Sequence, residues 1–150
     1  MIRHATLSDT ARAIELLQAS HQAAGFGGAG CFAFPFLESY AERLFVQHVE
    51  MMNGCALVHE SGGAAQGILL AAAHEHPFGP VWLASETLWW IDPAHRGRSA
   101  FAMLDAYEAW AREKRCAYAG MAGMGDDPVI ARLYERRGYV RAETHFLKAV

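Results

Sequence analysis

Cysteine is sparse in this 150-residue chain, and Cys31, Cys55 and Cys116 have none of the spacings that a zinc ribbon or a redox pair needs. An odd number of scattered thiols also makes a poor disulfide scaffold, so a reducing cytoplasm is the simplest setting. Charge is scarce as well: 19% of residues are charged, and a net charge of −3 lacks the positive excess of a general phosphate-backbone binder. Nucleic acid is therefore not expected as a partner. No apolar run approaches the ~18 residues of a membrane span, and Met1-Ile2-Arg3-His4-Ala5 has no signal-peptide character. No repeat or low-complexity linker divides the chain. With 53% hydrophobic residues, the sequence reads as one domain over 1–150, able to bury a core and expected in the cytoplasm without a membrane.

What is present is an alternation of strands and helices. Residues 2–5 read as a first strand, and Ser8 or Asp9 can cap a helix that turns Ala13, Ile14, Leu17 and Ala19 inward. A loop rich in glycine and phenylalanine over 25–36 precedes a helix over about 37–52, with Tyr40, Leu44, His48 and Met51 along one face. Gly54 opens a strand, Ser61-Gly62-Gly63 turns it, and 66–76 returns. The β-branched and aromatic run 81–91 ends at Asp92-Pro93, and from Phe101 the spacing of Leu104, Tyr107, Trp110 and Ala111 is helical. A short strand over 116–121, a run from Val129 to Tyr139 after Pro128, and a closing strand pair over 140–144 and 145–148 complete the pattern.

Gly25-Phe26-Gly27-Gly28-Ala29-Gly30 spells a dinucleotide pattern, but a helix precedes it and Pro35 follows among aromatics. The strand–turn–helix context that gives the pattern meaning is missing, so the segment reads as a loop. Its companions Phe26, Phe32, Phe34 and Phe36 can wall a cleft or plug the core. His74 and His76 alternate onto one strand face, where Glu86 or His95 would complete a metal site. Histidines at a strand end are more often hydrogen-bonding residues, and no metal is expected.

The most informative stretch is Ile91-Asp92-Pro93-Ala94-His95-Arg96-Gly97-Arg98-Ser99-Ala100. A strand, a short basic glycine turn and a helix make an anion site. The first N–H groups of the helix point outward, its dipole favours negative charge, and Arg96 and Arg98 add full charges. Such a turn can hold a pyrophosphate, and the Ser99 hydroxyl is a further candidate ligand. On the strand, alternation places Glu86 with Trp82, Ala84, Leu88 and Trp90, an apolar setting that disfavours the charged carboxylate, as a general base requires. The other reading of Glu86 is a solvated patch near the sheet edge, with His74 and His76 as substitute bases.

These residues resemble the GCN5-related N-acetyltransferase family. Its pattern after a strand, a hydrophobic-Asp-Pro step and then Arg/Gln-x-x-Gly-x-Gly/Ala, is matched by Ile91-Asp92-Pro93, Arg96 and Gly97, with Ser99 and Phe101 in the two small-residue slots. Downstream, Asp127, Pro128 and the run from Val129 through Leu133-Tyr134-Glu135-Arg136-Arg137-Gly138-Tyr139 look like the family's Asn-x-x-Ala-x-x-Leu-Tyr-Glu-Lys-x-Gly-Phe helix. Asp127 stands in the Asn slot, Ile130 in the Ala slot and Tyr139 in the Phe slot.

The resemblance implies a single-domain α+β acyl-CoA N-acyltransferase fold, a mixed, mostly antiparallel sheet flanked by helices. It implies transfer of an acetyl group from acetyl-CoA to a primary amine by direct attack in a ternary complex. Arg96, Gly97, Arg98, Ser99 and Ala100 would then hold the pyrophosphate, backbone N–H groups of Trp89, Trp90 and Ile91 would supply donors, and Glu86 would act as base. Tyr134 would protonate the departing thiolate. The acceptor reads as a small-molecule or peptide amine, and a homodimer stays open. Two other classes stand beside this reading: an acyl-CoA-binding module that lost turnover, which Phe101 and Asp127 suggest, and a nucleic-acid base modifier on the same fold, which the acidic balance disfavours.

Overall fold

The computed structural model of the chain describes residues 1–27, 32–123 and 128–148. They fall into two compact units, Met1–Gly120 and Met121–Val150. The first holds β1 (Ile2–His4), α1 (Thr10–Ala23), α2 (Glu38–Glu50), β2 (Gly54–Ser61), β3 (Ala64–Glu75), β4 (Trp82–Ile91), α3 (Arg98–Glu113) and β5 (Tyr118–Gly120); the second holds α4 (Pro128–Arg136). The strands lie in the order β1-β2-β3-β4-β5, antiparallel except for the β4–β5 pair. A parallel pair needs a crossover, and α3 supplies it. This is the mixed, mostly antiparallel α+β architecture expected.

Alternation along the strands gives the sheet two apolar faces. Ala56, Val58, Ile68 and Leu70 meet Ala13, Leu16 and Leu17 of α1 and Ala41 and Phe45 of α2. On the other face lie Cys55, Leu57, Leu69 and Ala71, beside which α3 buries Met103, Leu104 and Tyr107. Each buried Leu, Ile or Phe is worth roughly 1.5–3 kcal/mol, so these layers, more than helix propensity, hold the helices in place. Cys55 belongs to the packing: burial pushes its thiol up to about 12, far from a reactive thiolate. Arg3 of β1 grips Asp9 with two hydrogen bonds of 2.9 and 2.8 Å, while the Asp9 carboxylate accepts the Thr6 N–H at 2.8 Å. That pair ties the sheet edge to the start of α1.

Two expectations need correction. On α2 the buried residues are Ala41, Phe45 and His48, whereas Tyr40 and Met51 are exposed. His48 is buried as expected, but Phe45 takes the core position that Leu44 only flanks, and the small Ala41 in place of Tyr40 lets the helix approach. The closing strand pair is absent: residues 140–148 form no strand. Their apolar side chains Val140, Phe146 and Leu147 do not keep one parity, so no consistent face exists to bury. Gly28, Ala29, Gly30 and Cys31 lie outside the described residues. Beside them Phe26 meets Phe34 edge-on at 5.0 Å, and His21 lies 5.9 and 5.5 Å from Phe26 and Phe36.

Candidate active site

β4 changes character along its length. At its start it pairs with β3 on one side and with β5 on the other, through Leu83↔Tyr118, Ala84↔Ala119 and Ser85↔Gly120. There the parallel ladder stops. Immediately afterwards the register with β3 jumps from Ala71↔Glu86 to Leu70↔Leu88, which makes Thr87 the extra residue of a β-bulge. The bulge inverts the alternation. Glu86, half-buried, lies opposite Ala71 on the α3 face with Trp82 and Ala84, whereas Leu88 and Trp90 pair with Leu70 and Ile68 on the α1/α2 face. The expected grouping of Glu86 with Leu88 and Trp90 is therefore wrong. Its partners beyond the bulge are Trp89 and Ile91, since period-2 counting fails where a residue is inserted.

On the α1/α2 face the bulge presents Thr87. Its Oγ1 lies 2.9 Å from Nε2 of His48, and Nδ1 of His48 lies 2.7 Å from the Leu44 carbonyl oxygen. A carbonyl can only accept, so in the neutral ring the proton sits on Nδ1 and Nε2 accepts from the Thr87 hydroxyl. His48 is only 7% exposed and is the buried polar side chain among the described residues; Thr87 is exposed. The sequence signal for this pair was weak: one histidine in an apolar stripe and one threonine in a strand. Ser85 lies on the same face with its Oγ 2.9 Å from Nε2 of His74. His74 is thus on the face opposite Glu86, and His76 accepts the Phe78 N–H at 3.2 Å. The grouping of His74, His76 and Glu86 does not come together. Among the described residues no three His, Cys, Asp or Glu side chains gather as a metal would need.

At its far end β4 runs into the turn. The Asp92 carboxylate accepts Arg12 Nη2 of α1 at 2.6 Å and the Trp90 indole N–H at 3.0 Å, fixing the exit of the strand. Arg96 Nε donates to the Ile91 carbonyl at 2.9 Å, and its guanidinium lies 4.8 Å from the Trp90 ring centre, a cation–π contact. Gly97 follows at φ +104, ψ −117, a conformation essentially closed to residues with a Cβ. α3 then starts at Arg98 with no side chain capping it. The Ala100 N–H reaches the Gly97 carbonyl at 3.1 Å, and the Ser99 hydroxyl donates back to the His95 carbonyl. Ser99 therefore spends its proton inside the turn and offers a phosphate, an acceptor, only its backbone N–H. Arg98 is exposed, with no side-chain hydrogen bond among the described residues. Phe101 is 44% exposed, so its bulk points outward. Below the turn His95 meets His59 edge-on at 6.2 Å, and burial, then the Met1 amine and His95, lower the His59 pKa.

The second unit explains much of the downstream motif as a helix stop. Gly138, at φ +87, donates to the Glu135 carbonyl at 3.0 Å, and the Tyr139 N–H reaches the Tyr134 carbonyl at 3.1 Å. These are the two bonds of a Schellman motif, with its usual apolar contact supplied by the Tyr134 and Tyr139 rings 5.7 Å apart. The Tyr134 hydroxyl donates to the Ala122 carbonyl at 3.0 Å. Asp127 lies outside the described residues.

A strand with a bulge, losing one neighbour and ending on an uncapped basic helix start, sits in a mixed, mostly antiparallel α+β fold. Solved structures share the whole architecture. A ribosomal-protein-alanine N-acetyltransferase from Brucella melitensis matches with TM-score 0.75 at 18% identity, covering 100% of this chain and 99% of that one. A predicted acetyltransferase from Clostridium acetobutylicum, solved with acetyl-CoA, gives 0.78 at 14% identity over 99% and 95%. An aminoglycoside acetyltransferase from an uncultured soil metagenomic sample gives 0.73 at 19% identity over 100% and 97%. No curated protein matches the sequence. The model of the acetyltransferase (GNAT) family matches residues 14–139, and the chain belongs to that family. It is an N-acetyltransferase.

Proposed function

We propose that the protein, as one acetyltransferase domain over residues 1–150, moves an acetyl group from acetyl-CoA to a primary amine by direct attack in a ternary complex. The observation that carries this reading is the turn at Gly97, whose φ of +104 and uncapped helix start leave the first α3 N–H groups for an anion. Residues present fit a pyrophosphate. The N–H groups of Gly97, Arg98 and Ser99 would hold it, Arg98 would add the mobile charge, and Arg96 would stiffen the turn from the strand side. Ala100 contributes by closing the first helical turn. Acetyl-CoA, when bound, supplies the acyl group as an activated thioester. Trp89, Trp90 and Ile91 would orient the carrier along β4 through backbone donors, Glu86 would take a proton from the amine, and the Tyr134 hydroxyl would give one to the departing sulfur.

The acceptor class is a small-molecule or peptide amine; relatives of this fold include both a ribosomal-protein and an aminoglycoside acetyltransferase. A cytoplasmic setting suits the scattered thiols, of which Cys55 and Cys116 are free. Thiol release from acetyl-CoA against an amine panel tests the reading. Tyr134→Phe keeps the ring and its packing, so affinity for acetyl-CoA should hold while turnover falls ~10–10³-fold. Glu86→Gln should lower turnover ~10²–10⁴-fold, most at low pH, with acetyl-CoA binding intact. A protein that binds acetyl-CoA but acetylates nothing in the panel would be a binding module instead.

A further inference from the structure

We propose that Thr87 and His48 form a proton relay that serves the attacking amine: the Thr87 hydroxyl accepts the amine proton while its own passes to Nε2 of His48. The inference rests on the acetyl-transfer reading and gives the amine proton to this pair in place of Glu86, which lies on the opposite face of β4, so Thr87→Val rather than Glu86→Gln should carry the loss of turnover. Three observations meet here. The Leu44 carbonyl, 2.7 Å from Nδ1, fixes the neutral tautomer, and Nε2 lies 2.9 Å from Thr87 Oγ1, so the hydroxyl proton points at the ring and the oxygen lone pairs point away from it. His48 is 7% exposed while Thr87 is exposed, so the threonine, and not the ring, is the member of the pair open to a ligand. The third is location. A regular strand would put Thr87 on the face opposite Glu86 but leave it one of an unbroken series; the bulge instead makes it the extra residue, two positions beyond the end of the β5 ladder. It also lies ~13 Å along β4 from Ile91, where the anion turn begins, a span that an extended pantetheine arm covers.

The step balances. As the amine nitrogen bonds to the acyl carbon, its N–H bond breaks and a new O–H bond forms on Thr87. The former Thr87 O–H bond breaks and an N–H bond forms on His48 Nε2. The C–S bond breaks with its electron pair on sulfur, which leaves as a thiolate and takes a proton from water; His48 then gives its proton back to the hydroxide so formed. Until then His48 is an imidazolium, both ring N–H groups donating, to Leu44 and to Thr87. Thr87 touches substrate; His48 acts through it as a positioning residue.

Nitrogen-15 NMR of the free protein should show His48 protonated on Nδ1 with Nε2 accepting, and the Nε2 resonance should move in Thr87→Val. With acetyl-CoA and, as acceptor probes, an alanine-terminated peptide and an aminoglycoside, Thr87→Val should lower kcat ~10²-fold with KM for acetyl-CoA unchanged. Thr87→Ser should restore most of it, and His48→Gln should resemble Thr87→Val. A proton on Nε2 in the neutral ring, or wild-type kcat in Thr87→Val, overturns the relay. Calorimetry separates the two levels: a wild type that does not bind acetyl-CoA overturns the reading beneath, whereas a Thr87→Val protein that binds and turns over normally removes the relay alone.

Discussion

The two ends of β4 are made of the same kinds of residue and do different work. Its start, Trp82 to Ser85, is held by β3 and β5 together and is scaffold. Its later part carries a bulge at Thr87 and ends in a turn held by three side chains, Arg12, Asp92 and Arg96. Regular pairing fixes a strand from both flanks, and a bulge re-aims one side chain without moving its neighbours far. In the proposed reading the chemistry sits where the ladder is interrupted, and rigidity there is supplied by hydrogen bonds from neighbouring elements.

The comparison can be broken at a point remote from β4. Gly54 lies where β2 starts against the end of α2, and a Cβ there would meet the His48 carbonyl oxygen at 2.6 Å and Met51 Cβ at 3.1 Å. Backbone must move, so Gly54→Ala should cost ~1–3 kcal/mol of stability, read as a fall of several degrees in Tm. It should also lower turnover by displacing His48, while acetyl-CoA affinity stays. An unchanged Tm would mean the helix end yields freely.

A smaller effect marks the other edge of the sheet. The bidentate hydrogen bond from Arg3 holds the Asp9 carboxyl down from 3.8 to about 2. A folded-state value below the unfolded one gives stability that is complete above 3.8 and is lost as pH falls through about 2. Asp9→Asn should therefore flatten the acid limb of a urea-unfolding profile in that window and leave β4 chemistry intact at neutral pH. An acid limb identical to wild type would show that the pair contributes nothing.

Local signals made the fold and the turn readable. Asp92-Pro93 ends a strand, Gly97 breaks the chain direction, and the spacing from Phe101 to Ala111 is helical, so the strand–turn–helix of the candidate site is legible in the residues alone. In the sequence Gly138 stands only as part of the downstream motif; that it stops the helix emerges from its φ of +87 and the Tyr134–Tyr139 contact. What sequence could not show was non-local. One inserted residue at Thr87 reversed the faces of Leu88 and Trp90, and nothing in the string Ser85-Glu86-Thr87-Leu88 marks it. His48 looked like packing because its partner is 39 residues away. For Ser99, the sequence does not show that the His95 carbonyl is brought to its hydroxyl by the turn, leaving its backbone N–H for an anion.

The central claim, that the turn at Gly97 holds the pyrophosphate of acetyl-CoA, is tested most directly by calorimetric titration of acetyl-CoA into the wild type, Arg98→Ala and Gly97→Val. The account predicts saturable binding by the wild type and a loss of about 1.5–3 kcal/mol in Arg98→Ala, the range of one charge-assisted contact. Gly97→Val, folded by circular dichroism, should bind least of all, because φ +104 is denied to valine and the N–H groups turn away. Wild-type affinity in both variants, or no binding by the wild type, would contradict it.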